Sequence, residues 1–203
     1  MIAIIDYKAG NLRSVERALK HLEIPCVITA GPSDIMNAER VIFPGVGAAG
    51  KAMETIRELK IDMIINEVIA RGTPFLGICL GTQIIFDSSE EDAAFCLGII
   101  SGTVSKFPDM GEKIPHMGWN TIAKTRDHPL FYGIDSDAWF YFVHSYYPDP
   151  ADMQDVVAQT AYGITFASAI SRGNVFATQF HPEKSGRPGL EILKNFSMWD
   201  GNE

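Results

Sequence analysis

The sequence predicts an α/β fold: one domain over residues 1–203, with a mixed, mostly parallel central sheet flanked by helices. Three observations carry this expectation. In the first half, short apolar runs alternate with segments of helical period. In the second half, strand-like runs follow one another closely enough to form hairpins. No repeat, low-complexity stretch or linker divides the chain, and 203 residues can bury a full core.

The elements follow in order. Residues 2–5 (Ile-Ala-Ile-Ile) are apolar throughout, as in a strand buried on both faces. Leu12, Val15, Ala18, Leu19 and Leu22 make a helical stripe over 11–22. Pro25 ends it, and 26–29 is the second strand. Gly31-Pro32-Ser33 turns into a short helix, and 40–43 is the third strand. Residues 51–70 read as helix with a break near Lys60, and Gly72 is a suitable stop. Residues 75–78 are the fourth strand. In the second half, 139–143, 156–161, 164–171 and 174–180 read as strands, and 189–199 as a closing helix.

Composition excludes several functions. The net charge of −8 argues against nucleic acid or an anionic membrane as main partner, since both demand a basic face. No apolar run approaches the ~18 residues that span a bilayer, and the start does not read as a signal peptide. A cytoplasmic protein is expected. Cys26, Cys79 and Cys96 are too few and too scattered for a disulfide framework. No His/Cys spacing suggests zinc, so no metal and no cofactor is expected.

Gly45, Gly47 and Gly50 spell the dinucleotide-binding pattern G-x-G-x-x-G after an apolar strand. The context disagrees. That fingerprint follows a first strand and has an acid at the end of the next one. Here the glycines follow the third strand, Pro44 interrupts the entry, and the next strand ends in Cys79. Two readings stay open: a tight turn needing glycine torsions, or glycines that let a backbone N–H face a ligand.

The cysteine is more informative. Gly77-Ile78-Cys79-Leu80-Gly81 lies where a strand meets a helix expected through Thr82, Gln83, Ile84, Ile85 and Phe86. This is the nucleophile-elbow context, with sulfur replacing oxygen. At this composition G-x-C-x-G arises by chance roughly 0.02 times per chain. A helix N-terminus beside the sulfur favours thiolate, and the Leu80 N–H is placed to receive an oxyanion. Cys26 and Cys96 are expected to be ordinary core-side residues.

A thiol nucleophile needs a base, and the base an orienting partner. His21 and His128 read as surface residues, while His116 and His144 are less clear. His181 stands out. It is two residues from Glu183 across Pro182, so in extended backbone both side chains face one way. The carboxylate can hold one ring nitrogen and leave the other for the thiol.

With Gly-Ile-Cys-Leu-Gly-Thr-Gln at 77–83 and Gln-Phe-His-Pro-Glu-Lys-Ser at 179–185, the chain resembles the class I (triad) glutamine amidotransferases. The segments at 6–15, 43–47, 115–120 (Pro-His-Met-Gly-Trp-Asn) and 144–147 (His-Ser-Tyr-Tyr) are similar to one branch, the glutaminase subunits of imidazole glycerol phosphate synthase. The likeness covers residues 1 to about 198 and implies a flavodoxin-like architecture. It also implies that Gly45-Val46-Gly47 is an oxyanion strand whose Gly45–Val46 peptide can rotate, so that Val46 and Leu80 amides hold the developing charge. By the same resemblance Gln83, Glu91, Ser145 and Tyr146 would bind glutamine. The implied partner is a cyclase subunit built as a (β/α)8 barrel, forming a heterodimer that makes imidazole glycerol phosphate and AICAR in histidine biosynthesis. His116, Trp119, Asn120, Tyr141 and Lys184 would face that barrel. Lys8, Ala49 and Thr82 depart from the branch's usual residues, which are Gly, an aromatic residue and Met. Other readings are a glutaminase of another class I enzyme such as pyridoxal phosphate synthase, a non-catalytic scaffold for the barrel, and a cysteine peptidase.

Overall fold

β1 (Ile2–Ile5), α1 (Leu12–His21), β2 (Cys26–Thr29), α2 (Pro32–Met36), β3 (Arg40–Gly45), α3 (Ala49–Glu58), α4 (Ile61–Ala70) and β4 (Phe75–Cys79) alternate as the periodicity predicts. The computed structural model describes residues 1–8, 11–109 and 111–202. Ala9 and Gly10, part of one segment that carries the resemblance, lie outside the described residues. Lys60 takes a left-handed φ of 57° and separates α3 from α4 at the expected break. Gly72 ends α4 with φ 79°.

Beyond β4 the chain forms α5 (Leu80–Gln83), β5 (Ser88–Ser89), β6 (Ala94–Phe95), β7 (Gly102–Lys106), β8 (His116–Thr121), β9 (Ala123–Lys124), β10 (Trp139–His144) and β11 (Tyr146–Pro150). It closes with β12 (Val156–Tyr162), β13 (Ile164–Arg172), β14 (Val175–Thr178) and α6 (Gly186–Met198). The main sheet has the order β2-β1-β3-β4-β14-β13-β12-β9. β2 through β14 in that order run parallel, and the pairs from β14 to β9 are antiparallel. Two smaller sheets, β10-β8 and β11-β7-β5-β6, lie beside it.

Each central strand is buried on both faces, which is why it reads as a continuous apolar run. Ala3, Ile5, Val41, Phe43 and Phe75 pack toward α3 and α4 through Ala52, Ile56, Ile61 and Ile65. Ile4, Ile42, Leu76 and Ile78 pack toward α1 and α6 through Val15, Leu19, Leu193 and Phe196.

Three expectations change. β3 does not stop at Phe43 but continues through Pro44 and Gly45, opposite Ile78 and Cys79 of β4. Proline is tolerated because β1 pairs with β3 only as far as Ile4 and Ile42, so no ladder bond is lost on that side. The helix after Cys79 is only four residues long. The carbonyls of Ile84, Ile85 and Phe86 are taken by the amides of Leu97, Ile99 and Gly98, so the helical ladder cannot continue. Finally, α6 begins at Gly186 and its first turn accommodates Pro188.

Candidate active site

Parallel strands end on one edge of the sheet, and three of those ends converge: Gly45 of β3, Cys79 of β4 and the segment after β14. Cys79 has φ 54° and ψ −103°, a conformation that an L-residue holds only when its surroundings force it. The neighbours do so. A Cβ on Gly77 would stand 2.7 Å from the Gly81 carbonyl oxygen, and one on Gly81 would collide with the Phe43 carbonyl oxygen. Both glycines of the elbow are therefore required by close backbone approach. Thr82 adds a fastening: its hydroxyl donates to the Thr178 carbonyl at 2.6 Å, tying the elbow to β14.

Cys79 is 6% exposed, and its sulfur borders a cavity of about 420 Å³. Gln179 Nε2 approaches Sγ at 3.7 Å, and the Val143 carbonyl lies 3.9 Å away. His181 follows two residues after Gln179 and is 1% exposed. Its Nδ1 donates to Glu183 Oε1 at 2.8 Å, with the carboxylate equally buried. That bond leaves Nε2, which has no hydrogen-bond partner, on the cysteine side. Burial pulls the His181 pKa down, but the neighbouring Cys79 sulfur and then Glu183 push it up further, to about 10. The surroundings thus favour the imidazolium form of His181 beside the Cys79 sulfur.

The rest of the cavity holds most of the other expected site residues. Val46, Gly47, Leu80, Gln83, Glu91, Ser145 and Tyr146 all line it. Gln83 is locked: its Nε2 donates to the Tyr146 carbonyl and to Gln179 Oε1, each at 3.0 Å. Glu91 Oε2 accepts the Ala49 N–H at 2.8 Å, and burial raises its pKa despite that bond. Ala49, one of the departures, is thereby fixed at the start of α3. Lys8, another, sits at φ 66°, the region that explains why glycine suits that position. Val46 is 39% exposed.

Of the residues expected to face a partner, Trp119 is exposed on β8, and Lys184 places its ammonium 5.7 Å over the Tyr141 ring. Trp119 meets Tyr141 edge-on at 6.0 Å. His116 is a correction: it is 3% exposed and faces inward. His116 Nδ1 and His144 Nε2 are 3.0 Å apart, Asn120 Nδ2 reaches His116 Nε2 at 3.3 Å, and His144 Nδ1 lies 2.7 Å from the Tyr146 carbonyl. Only one proton assignment satisfies all three contacts: Asn120 donates to His116, His116 to His144, and His144 to the carbonyl. Both rings are then neutral, and burial lowers their pKa values to about 4 and about 3. His128 is a second correction. It is 1% exposed rather than on the surface, because Nδ1 accepts the Leu130 N–H and Nε2 meets the Ser171 hydroxyl at 3.1 Å.

Gln179 and the inward His144 are site residues that sequence reasoning passed over. The i, i+2 spacing used for His181 and Glu183 also relates Gln179 to His181, but the expected extended backbone across Pro182 is a correction: Pro182–Lys184 form a 3₁₀ turn, which still brings Glu183 onto His181 Nδ1. Among the described residues no cluster of His, Cys, Asp or Glu could hold a metal, and no helix is long and apolar enough to cross a membrane.

A cysteine on a strand-to-helix elbow, backed by a buried His–Glu pair at the carboxyl edge of a parallel sheet, defines a nucleophilic cysteine enzyme. The glutamine amidotransferase class-I family model matches residues 3–198. Imidazole glycerol phosphate synthase subunit HisH of Desulfovibrio desulfuricans is 52% identical, over 97% of this chain and 93% of its own. The subunit HisH of Methanocaldococcus jannaschii is 50% identical, over 97% and 98%. Among solved structures, PurLQS from Thermotoga maritima superposes with TM-score 0.75 at 19% identity, covering 96% of each chain. The glutaminase domain of Trypanosoma brucei CTPS does so with TM-score 0.65 at 15%, over 97% of this chain and 93% of its own. The chain belongs to the class-I glutamine amidotransferases and, within them, to the HisH subunits of imidazole glycerol phosphate synthase. It is a cysteine-based glutaminase with the function of those subunits in histidine biosynthesis. The relatives favour this over the pyridoxal phosphate synthase, scaffold and peptidase readings.

Proposed function

We propose that Cys79, His181 and Glu183 form the catalytic triad of a glutaminase that feeds ammonia to a (β/α)8-barrel cyclase subunit in a cytoplasmic heterodimer. The observation that carries this reading is the His181–Glu183 bond of 2.8 Å beside the elbow cysteine. The Cys79 thiolate attacks the side-chain amide carbon of glutamine, and the carbonyl electrons move to oxygen. The amides of Leu80 and Val46 receive that oxyanion, with Gly45 and Gly47 giving the second donor room to turn. The intermediate collapses, the C–N bond breaks, and His181 gives its proton to the departing ammonia. Water, deprotonated by His181, then attacks the thioester and releases glutamate and the thiolate.

Gln83, Glu91, Ser145 and Tyr146 would hold the substrate, and their place on the cavity wall supports this. The Glu91 carboxylate suits the α-ammonium, while Gln83 acts chiefly by fixing the Tyr146 backbone. Ammonia becomes ammonium in neutral water and ceases to be a nucleophile, so a dry route to a second site is of value. Trp119, Tyr141 and Lys184 on the β8–β10 side offer an aromatic anchor and a charge for the barrel, and Asn120 links that side to the pocket through His116.

The test is glutamate release from glutamine by the chain together with its cyclase barrel, compared between wild type and Cys79→Ala. A fall of about 10³-fold or more with unchanged thermal unfolding is expected. Equal rates would remove Cys79 from the chemistry.

A further inference from the structure

Gln179 has no part in the triad, yet its side chain touches the cysteine sulfur. It is wholly buried and reaches Cys79 from inside the protein rather than from the cavity wall. A buried amide needs partners, and the surrounding bonds settle which end of it points where. The Tyr146 carbonyl can only accept, so the Gln83 atom 3.0 Å from it is Nε2. That same nitrogen lies 3.0 Å from the Gln179 side chain, which must therefore present Oε1 to it. Nε2 of Gln179 is left facing Cys79 Sγ at 3.7 Å. Donors thus run from Gln83 to Gln179 to the sulfur, and one amide orientation satisfies all three contacts.

The backbone fastens this donor to its target. The Gln179 N–H donates to the Ser168 carbonyl of β13 at 2.9 Å. The Thr82 hydroxyl, on the Thr178 carbonyl, ties the elbow to the residue just before Gln179. The amide therefore need not turn or shed water when charge arrives on the sulfur. Charge arrives in the second half of the reaction. Water adds to the thioester carbon and passes a proton to His181; the C–S bond then breaks, and its electron pair moves onto Sγ. The Val143 carbonyl, 3.9 Å from Sγ, is an acceptor and cannot steady a negative sulfur. An amide N–H can. It keeps its proton at neutral pH, so it supports the charge without quenching the nucleophile for the next turnover.

We infer that Gln179 is a further catalytic residue: its side-chain amide donates to Cys79 Sγ and stabilises that sulfur as the leaving group when the glutamyl thioester is hydrolysed. This rests on the reading of Cys79 as the nucleophile. Gln83 acts one step behind, by fixing which end of the Gln179 amide faces the sulfur.

Gln179→Met keeps most of the side-chain volume and removes the donor. The chain assembled with its cyclase barrel is given glutamine, and three quantities are read: kcat, KM, and the glutamyl adduct on Cys79, by intact-mass spectrometry of acid-quenched protein. Slower departure of the sulfur should lower kcat about tenfold and KM with it, leave kcat/KM nearly unchanged, and make the adduct accumulate. An unchanged kcat, or a lower one without the adduct, overturns the proposal and leaves the triad intact. So does a raised KM with kcat unchanged, the result expected if Gln179 serves only to hold Gln83. If the methionine variant does not fold, Gln179→Asn, which keeps an amide but withdraws it by one methylene group, is read in the same way. Wild type that releases no glutamate and forms no adduct would instead remove Cys79 as the nucleophile. The contact has a check that needs no change at Gln179: its side-chain ¹⁵N–¹H resonances should move in Cys79→Ala, and unmoved resonances contradict it.

Discussion

The nucleophile elbow and the proposed oxyanion strand are neighbours in the sheet, paired at Gly45 and Cys79, yet they are built differently. In the elbow, both glycines are present because another backbone group fills the space a Cβ would need. The Thr82 hydroxyl ties it to β14, and Cys79 is pinned in a strained conformation. In the oxyanion strand, Gly47 faces open space on a positive φ, and Val46 is 39% exposed. Glycine is thus used for close packing at Gly77, Gly81 and Gly45, and for freedom at Gly47. The difference teaches a division of labour: on the proposed reading, the attacking atom is fixed, and the second oxyanion donor at Val46 is left able to move without disturbing it.

The contrast breaks most sharply at its glycines. Gly81→Ala forces a methyl group into the Phe43 carbonyl and should cost about 4 kcal/mol or more, or prevent folding. Gly47→Ala meets no atom and should cost only about 1–2 kcal/mol from its torsion. Urea unfolding of both variants measures the gap, and equal losses would erase the distinction between the two regions.

A smaller effect asks whether the pocket rim belongs with the rigid region. His116 and His144 are held neutral in the folded chain, with pKa values lowered to about 4 and about 3. The unfolded chain binds protons near pH 6.5, so it binds more of them than the folded chain as pH falls below that value. Their contribution is complete above pH 6.5 and is lost progressively on acidification toward pH 3. Between pH 6.5 and 5 the pair should remove about 3 kcal/mol of stability. His181 has the opposite sign: its raised pKa contributes below pH 6.5 and that contribution is lost as pH rises through about 10. Stability that stays flat from pH 6.5 to 5 would show that the rim relaxes to admit the charge.

The smallest effect concerns the triad itself. Glu183→Gln removes one of the groups that raise the His181 pKa and loosens the ring. A drop in kcat/KM of about 10²-fold, or ~2.7 kcal/mol, is expected, with the alkaline limb of the pH profile moved to lower pH. An unmoved limb would mean that Cys79 alone sets that proton.

The parallel half of the fold was legible because strands buried on two faces leave uninterrupted apolar runs, as at Ile2–Ile5 and Phe75–Cys79. The candidate triad was legible because the elbow glycines flank Cys79 and because His181 stands two residues from Glu183, and the structure brings these two distant segments together. What escaped was non-local. Ser88–Ser89 and Ala94–Phe95 are strands of two residues and carry no period. The apolar Ile84-Ile85-Phe86 suggested helix, but the loop at Leu97–Ile100 takes its carbonyls. Asp127-His128-Pro129 looked like a surface turn, yet Ser171 and the Leu130 amide bury the imidazole. Pro44 looked like a strand end, and only the short reach of β1 shows why it is not.

The central claim is that the nucleophile is fixed and the proposed second oxyanion donor is free to turn. It is tested most directly by glutamate release from glutamine, first by this chain alone and then with the cyclase barrel and the substrate from which that barrel makes imidazole glycerol phosphate. A low rate alone and a large rise in the complex is the predicted result. A high rate from the chain alone, unchanged by the barrel, would show a complete hole at rest and contradict the division between a fixed elbow and a movable strand.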